Sequence, residues 1–191
     1  MVSIDATSKK YHGKMASDYE ENRREQGRWK IENAEVERLL TELRPKSVLD
    51  VPVGTGRFIP VYDKLRVKHV VGVDISSSML AIAGKKRVKY SKVKLYEGDA
   101  RKIKESVDVA VCVRFLDLID EKAMYAVMAN LLTCANDAVI CTIRFGKKYV
   151  PKSNTAEHNE KQFRKFVRVG GWEIKEAIPI FTLGWHILLI Q

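Results

Sequence analysis

The sequence predicts an α/β fold in which helices cover both faces of a mostly parallel sheet. Three observations lead to this prediction. Short apolar runs, typical of strands buried on both faces, occur at residues 48–51, 70–73, 107–113 and 138–143. Segments with apolar residues at helical spacing lie between them, as at residues 31–43. A loop with two glycines follows the first run, at the edge where parallel α/β sheets bind their ligands.

Length and composition describe one domain of ordinary size. The chain has 191 residues, of which 46% are apolar and 30% charged, enough for a sizeable core. No apolar run approaches the ~20 residues of a membrane span, and the first five residues lack a signal-peptide pattern. Cys112, Cys134 and Cys141 lie in apolar segments without metal-ligand spacing, which favours buried, reduced thiols. We therefore expect a cytoplasmic protein without a metal site.

The first half of the chain is predicted to alternate helices and strands after a polar N-terminal arm or lid at residues 1–30. Pro45 ends the helix at residues 31–43 before the first strand. A second helix at residues 57–65 carries Pro60 near its start, where proline is tolerated. Ser76 is predicted to cap the helix after the second strand.

An eleven-residue segment joins the first predicted strand to the next helix. It reads Val-Leu-Asp-Val-Pro-Val-Gly-Thr-Gly-Arg-Phe from Val48 to Phe58. Gly54 and Gly56 permit a tight turn and let a ligand approach the main chain. A Walker loop is excluded because the chain has no Gly-Lys-Ser/Thr, and the dinucleotide pattern G-x-G-x-x-G fits poorly. Asp50 lies just before the glycines, where its carboxylate can fix the loop or reach a positively charged ligand.

Two further strand ends carry acids. The run at residues 70–74 ends in Asp74, and a carboxylate there can accept hydrogen bonds from both hydroxyls of a ribose. Residues 93–100 alternate apolar and polar side chains and end in Gly-Asp-Ala, with the acid at Asp99. Neighbouring parallel strands end at one edge of a sheet, so we expect these two acids to converge there with Asp50.

The glycine segment and the two acidic strand ends together resemble the motifs of class I S-adenosylmethionine-dependent methyltransferases, although the usual first motif has Gly in place of Pro52. The resemblance implies a three-layer α/β/α sandwich with a seven-stranded sheet of order 3-2-1-4-5-7-6, in which strand 7 is antiparallel. It implies a single methyltransferase domain at residues 1–191, with S-adenosyl-L-methionine as cofactor. In that family the acid after the third strand binds the adenine amino group, a role that falls on Asp99. The cofactor-binding residues so implied are Tyr19, Asp50, Pro52, Gly54, Thr55, Gly56, Asp74, Ile75, Met79, Gly98, Asp99, Ala100 and Arg114.

The second half of the chain is predicted to complete the sheet. The segments that follow the fourth strand are a helix capped by Asp120 and running to about Ala135, a fifth strand at 138–143, a polar loop at 144–154, a helix at 156–168, and two hairpin strands at 172–181 and 183–190. A closing antiparallel hairpin distinguishes the methyltransferase sheet from a dinucleotide-binding sheet.

The candidate catalytic residues are Asp117, Arg114 and His12. Residues 114–119 leave the fourth strand beside the expected position of the methyl group, and Arg114 there suits an anionic acceptor. Asp117, His12 and His158 are candidate general bases for an oxygen acceptor. Tyr149 is a further residue within reach of an acceptor. The segment Tyr11–Tyr19 loosely resembles the lid of small-molecule methyltransferases, with Tyr19, Arg23, Arg28 and Trp29 as candidates for that role.

The formal net charge of +10 attracts nucleic acid, anionic membranes or phosphorylated molecules. The densest basic stretch, residues 85–94, includes a helix C-terminus, where cations are favoured, and lacks the interleaved aromatic residues that stack bases. We therefore predict methyl transfer to a small-molecule acceptor. The alternatives are methylation of RNA or protein, and a cofactor-binding or cofactor-cleaving protein without transferase activity. The oligomeric state is not predicted.

Overall fold

The computed structural model describes residues 27–87, 92–148, 150–151, 155–180 and 184–191. The helices in these ranges are α1 (Gly27–Leu43), α2 (Ile59–Lys64), α3 (Ser77–Arg87), α4 (Glu121–Cys134) and α5 (Glu160–Val169). The strands are β1 (Ser47–Asp50), β2 (His69–Asp74), β3 (Val93–Glu97), β4 (Val107–Cys112), β5 (Ala135–Gly146), β6 (Val150–Pro151), β7 (Ala156–Asn159), β8 (Ile174–Pro179) and β9 (Trp185–Ile190). A 3-10 turn, Leu116–Leu118, lies between β4 and α4.

The main sheet has the strand order β3-β2-β1-β4-β5-β9-β8. Strands β1 to β5 are mutually parallel, and β9 runs antiparallel to both of its neighbours, β5 and β8. With β8 and β9 as strands 6 and 7, this is the predicted order 3-2-1-4-5-7-6, which is confirmed. Strands β6 and β7 form an additional short ribbon, in which β7 runs parallel to the end of β5.

Two apolar cores lie on opposite faces of the sheet, because successive strand residues point to opposite faces. In β1, Val48 belongs to the core under α1, α2 and α3. Leu49, the next residue, belongs to the core under α4 and α5. The predicted three-layer sandwich is therefore confirmed.

Local sequence signals place several helix ends correctly. Ser76 caps α3 by accepting a hydrogen bond from the amide of Met79 at 3.3 Å, and Asp120 caps α4 by accepting from the amide of Ala123 at 2.8 Å. Pro60 lies in the first turn of α2, where its missing N–H is not needed.

Helix α1 begins at Gly27, so the predicted arm at residues 1–30 extends too far along the chain. Trp29 accounts for the earlier start, because its ring is buried and extends the apolar stripe of the helix by one turn. Residues 1–26 lie outside the described residues.

Strand β5 is longer than the predicted residues 138–143. Its first residue, Ala135, pairs with β4, and Arg144 near its other end pairs with Trp185 of β9. The prediction of a loop that starts at Arg144 is therefore wrong.

The predicted start of the last helix, residue 156, lies four residues before the start in the structure. Residues Ala156–Asn159 form β7 instead, and α5 starts at Glu160. Asn159 caps this helix, since its side-chain oxygen accepts a hydrogen bond from the amide of Gln162 at 2.9 Å.

Within the described ranges, none of the helices combines the length and the apolar character that crossing a membrane requires.

Candidate active site

A cleft with about 770 Å³ of space, including its part open to solvent, lies at the carboxyl ends of β1, β2 and β4. Its lining residues are Trp29, Asp50, Pro52, Val53, Gly54, Thr55, Arg57, Phe58, Asp74, Ile75, Ser76, Met79, Val113, Arg114, Phe115 and Leu118. The predicted cofactor-binding residues among them are Asp50, Pro52, Gly54, Thr55, Asp74, Ile75, Met79 and Arg114. The glycine loop forms one wall of the cleft, and the residues after β4 form the opposite wall.

Asp74 fixes the glycine loop to the end of β2. One of its carboxylate oxygens accepts a hydrogen bond from the amide of Gly54 at 2.8 Å, and the other accepts from the amide of Ser76 at 2.8 Å. The backbone of Val53 also donates to the carbonyl of Val73 at 2.8 Å. Hydrogen bonds from two amides stabilise the ionised carboxylate, and a carboxylate has further lone pairs that can receive ligand hydroxyls.

The two glycines of the loop have different roles. Both have positive φ, +55° at Gly54 and +74° at Gly56, a conformation in which glycine is favoured. A Cβ at Gly54 would meet no atom within 4 Å, whereas a Cβ at Gly56 would lie 2.6 Å from Ile59 Cδ1. Gly54 therefore faces the cleft, while Gly56, which is not part of the cleft lining, lets the loop pack tightly on α2.

Asp50 lies at the base of the cleft with 2% of its surface exposed. Burial raises the pKa of its carboxyl to about 7; the nearby Tyr62 hydroxyl lowers the pKa in part, and the charge of Asp74 raises it further. The Tyr62 hydroxyl does not satisfy the geometry of a hydrogen bond, and Asp50 Oδ2 has no hydrogen-bond partner in the described part of the chain. A buried carboxylate oxygen in this state is suited to a positively charged ligand group.

Asp99 lies at the end of β3 but does not line the cleft. Both of its carboxylate oxygens accept hydrogen bonds from the Arg101 guanidinium, the shortest at 2.6 Å. These hydrogen bonds lower the pKa of Asp99. Gly98 and Ala100 also lie outside the lining. The assignment of Asp99 to the adenine therefore stays a prediction, and it requires the carboxylate to receive a ligand in addition to Arg101.

A buried ionic network joins the two sides of the cleft, and the sequence analysis missed it. Glu32 of α1 is fully buried, and its Oε2 accepts hydrogen bonds from Arg57 Nη1 at 3.0 Å and from Arg114 Nε at 2.7 Å. Arg28 Nε lies 3.9 Å from the other oxygen. The Arg57 guanidinium stacks on the Trp29 ring at 3.6 Å from its centroid. Helix α1 therefore holds together the glycine segment and the residue that follows β4.

Asp117 and His158, the candidate bases among the described residues, are buried outside the cleft lining. Asp117 is buried in the 3-10 turn, and burial raises the pKa of its carboxyl to about 7 although the charges of Arg114 and Arg28 lower it. His158 is fully buried, and its Nε2 lies 2.8 Å from the carbonyl oxygen of Leu116. Burial lowers the pKa of His158, which favours the neutral ring at neutral pH.

Of the remaining candidates, Trp29 lines the cleft, and Arg28 stacks on Trp185, with its Cζ 4.4 Å from the ring centroid. The candidates outside the described residues are Tyr19, His12, Arg23 and Tyr149. In the part of the chain that the structure describes, no group of three or more His, Cys, Asp or Glu side chains is placed to hold a metal ion.

Comparisons with known proteins agree with this geometry. A family model described as a methyltransferase domain matches residues 48–137, which contain the glycine loop and the ends of β2, β3 and β4. A search of curated protein sequences finds no significant match. Solved structures with the same fold include a magnesium protoporphyrin IX methyltransferase from Synechocystis PCC 6803 with bound S-adenosylmethionine. It is 16% identical, the alignment covers 97% of this chain and 95% of that one, and the TM-score is 0.77.

Two other similar structures have comparable coverage. A S-adenosylmethionine-dependent methyltransferase from Clostridium acetobutylicum is 15% identical over 93% of this chain and 97% of its own, with a TM-score of 0.72. The complex of DhpI with S-adenosylhomocysteine is 15% identical, the alignment covers 93% of this chain and 91% of that one, and the TM-score is 0.68. These likenesses show the fold, and the family model matches the segment that carries the cleft. Residues 48–137 therefore match a methyltransferase domain, and the chain as a whole has the fold of S-adenosylmethionine-dependent methyltransferases.

Proposed function

We propose that this methyltransferase acts on a small-molecule acceptor, which binds in the cleft between the glycine loop and the residues that follow β4. The observation that carries the proposal is the lining of the cleft, which combines apolar and aromatic side chains with a few convergent polar groups at the carboxyl ends of β1, β2 and β4, as small-molecule sites do. Its acceptor wall combines apolar and aromatic side chains with one guanidinium, from Val113, Arg114, Phe115 and Leu118. The similar structure from Synechocystis is that of an enzyme named for a small-molecule acceptor, which supports the same class here.

The residues on the side of the cleft formed by the glycine loop and the end of β2 fit S-adenosylmethionine. Asp74 is placed to receive ribose hydroxyls, and the unpartnered oxygen of Asp50 suits the positive charge of the methionine end. Ile75 and Met79 supply apolar surface for the adenine ring. When bound, the cofactor supplies a methyl group on a sulfonium, which is already a good leaving group. The work left to the protein is to align the acceptor and exclude water, and alignment of this kind lowers a barrier by up to ~7–11 kcal/mol.

Asp117 is our candidate for proton removal from an oxygen acceptor. A general base is most effective when its pKa lies near the working pH, and burial raises the pKa of Asp117 to about 7. Leu118, the next residue, lines the cleft, so Asp117 lies next to the wall assigned to the acceptor. A nitrogen acceptor needs only orientation, and Asp117 would then be dispensable.

The experiment is incubation of the purified protein with S-adenosylmethionine that carries a labelled methyl group, with and without a metabolite extract. We expect S-adenosylhomocysteine to form only with extract, together with a small product that carries the label and is one methyl group heavier than its precursor. Transfer of label only to RNA or protein would contradict the small-molecule proposal. Breakdown of the cofactor without extract would indicate a cleaving enzyme.

We also propose the cytoplasm as the location. The three cysteines are free and buried, and reduced thiols persist in the reducing cytosol. Fractionation of cells that express the full chain tests this, and recovery in an oxidising compartment would contradict it.

A further inference from the structure

We propose that the acceptor carries a carboxylate and that Arg114, held in place by buried Glu32, binds this group. The inference rests on the proposed function, because it concerns the acceptor of the same cleft. It also assigns Glu32 as a positioning residue, which acts through Arg114 and does not touch the acceptor.

Several contacts hold Arg114 in place. It has φ of +58°, and its backbone amide donates a hydrogen bond to Thr142 Oγ1 at 2.6 Å. Its guanidinium donates from Nε to Glu32 Oε2. Its side chain is 8% exposed, and Nη2 is buried without a hydrogen-bond partner among the described residues. A buried charged donor without a partner is costly, and Arg114 lines the cleft, so the missing partner is a ligand oxygen.

The charges around Arg114 favour an anion. Glu32 lies within 4 Å of the three guanidinium groups of Arg28, Arg57 and Arg114. The nearby Asp117 is only partly ionised at neutral pH, because burial raises its pKa to about 7. Glu32 Oε2 is shared between Arg57 and Arg114, so a negatively charged group at Arg114 Nη2 is favoured over a neutral one. A carboxylate on the acceptor supplies that negative charge.

The other residues of the wall define the rest of the acceptor. Val113, Phe115 and Leu118 present apolar surface to the cleft next to Arg114. Asp50 and Asp74 line the part of the cleft assigned to the cofactor, where they would repel an anion. An apolar or aromatic acid therefore fits with its carboxylate on Arg114 and its body against the apolar residues, and guanidinium groups bind carboxylates with strong charge-assisted hydrogen bonds.

The test measures binding of benzoate and of its neutral isostere benzamide to the protein saturated with S-adenosylhomocysteine, by calorimetry. We expect benzoate to bind at least about fivefold more tightly than benzamide. In Arg114→Gln this preference should disappear, and benzoate should lose more affinity than S-adenosylhomocysteine does. Arg164→Gln is the matched control, because it removes an exposed guanidinium that is paired with Glu160 on α5, and it should leave both affinities unchanged.

Glu32→Gln tests the positioning role. It keeps the volume and removes the charge that holds Arg114, so we expect the benzoate preference to fall while Arg114 is still present. Equal affinity of the wild-type protein for benzoate and benzamide, or no saturable binding of benzoate, would overturn the proposal. So would a loss of S-adenosylhomocysteine affinity in Arg114→Gln as large as the loss for benzoate, which would assign Arg114 to the cofactor's own carboxylate. Failure of the wild-type protein to bind S-adenosylhomocysteine would instead refute the proposed function.

Discussion

At the scale of single residues, the carboxylate of Asp74 holds the glycine loop in the shape that forms the cleft. It accepts hydrogen bonds from the amides of Gly54 and Ser76, which lie on the two segments that would surround a bound nucleoside. The loss of either hydrogen bond leaves a buried donor without a partner, at a cost of ~1–3 kcal/mol.

For Asp74→Asn we expect S-adenosylhomocysteine to bind at least about tenfold more weakly, because the loop loses an anchor and the site loses a charged acceptor. Calorimetry provides the measurement. Asp108→Asn is the matched control, since Asp108 also accepts hydrogen bonds from two backbone amides, those of Lys46 and Ser47, but at the opposite edge of the sheet. Similar losses of affinity in both variants would show that Asp74 acts only through overall stability.

The stability of the protein should depend on pH through Asp117. Burial raises the pKa of its carboxyl in the folded protein to about 7, from 3.8 as the ordinary value. Between these values the folded protein retains a proton that the unfolded chain has released. Stability therefore falls as the pH rises through this window, by up to about 4 kcal/mol.

Urea unfolding at pH 4.5 and pH 8 provides the measurement. We expect Asp117→Asn to be more stable than the wild type at pH 8, and to differ little from it near pH 4.5. An equal difference in the free energy of unfolding at the two pH values would contradict this. Asp50 is buried in a similar way and its pKa is also raised to about 7. The stability of the Asp117→Asn variant should therefore still depend in part on pH.

The two loop glycines should respond differently to substitution. Gly54→Ala adds a methyl group in open space, so its cost in stability is the ~1–2 kcal/mol of the left-handed conformation. The added methyl group projects into the part of the cleft assigned to the cofactor. Gly56→Ala has the same backbone cost and also forces Ile59 to move. We expect Gly56→Ala to lower the urea midpoint more, and Gly54→Ala to weaken S-adenosylhomocysteine binding more than its stability loss explains. The reverse ranking of midpoints would contradict the structure.

At the scale of elements, helix α1 is the clearest difference between what the sequence predicts and what the chain forms. Its buried residues are Trp29, Glu32, Val36, Leu39 and Leu40, which lie on one stripe of the helix. Glu32 therefore occupies a position that the helical pattern reserves for an apolar side chain. That charge on the apolar stripe is the signal that could have identified the network with Arg57 and Arg114, because Glu32 already lies within the helix predicted at residues 31–43.

We expect Glu32→Ala to destabilise the protein by ~3–5 kcal/mol, because it leaves two buried guanidinium groups without their shared carboxylate. Glu37→Ala on the same helix is the matched control. Glu37 pairs with Lys64, which is 71% exposed, and exposed pairs contribute less than ~1 kcal/mol. Urea unfolding of both variants at pH 7 provides the measurement. Equal losses in the free energy of unfolding would show that the Glu32 network contributes no more to stability than an exposed ion pair.

The strands were more predictable than the helix ends and the ribbon. Continuous apolar runs mark buried strands, and β1, β2 and β4 follow them closely. The order of the sheet followed from the family resemblance. The start of α5 was not predicted, because Ala156–Asn159 form a strand that pairs with β5 and β6 through backbone hydrogen bonds. Four residues are too few to show the alternation of apolar and polar side chains that marks a strand.

At the scale of the whole molecule, the cleft lies where the strand order reverses, with β2 and β3 on one side of β1 and β4 and β5 on the other. This is the position where open α/β sheets bind ligands. The sheet brings Asp50, Asp74 and Arg114 from three strand ends into one cleft. The convergence of Asp99 with Asp50 and Asp74 stays a prediction, because Asp99 lies outside the cleft lining and its contacts with Arg101 are not visible from the order of motifs.

We expect S-adenosylhomocysteine at one hundred times its dissociation constant to stabilise the protein by ~2.7 kcal/mol. For a chain of this size the melting temperature then rises by about 5–10 °C. Thermal unfolding followed by calorimetry measures the shift, with NAD at the same concentration as the control. A shift with NAD and none with S-adenosylhomocysteine would contradict the assignment of the cleft.

The burial of all three cysteines has a practical consequence. Cys112 and Cys141 face each other on β4 and β5 in the centre of the sheet, and burial raises the pKa of Cys141 to about 12. Alkylating reagents react with thiolates that they can reach, so the folded protein should resist iodoacetamide. The rate of alkylation of Cys112 and Cys141 then measures how often the protein opens far enough to separate the central strands, and no probe has to be introduced.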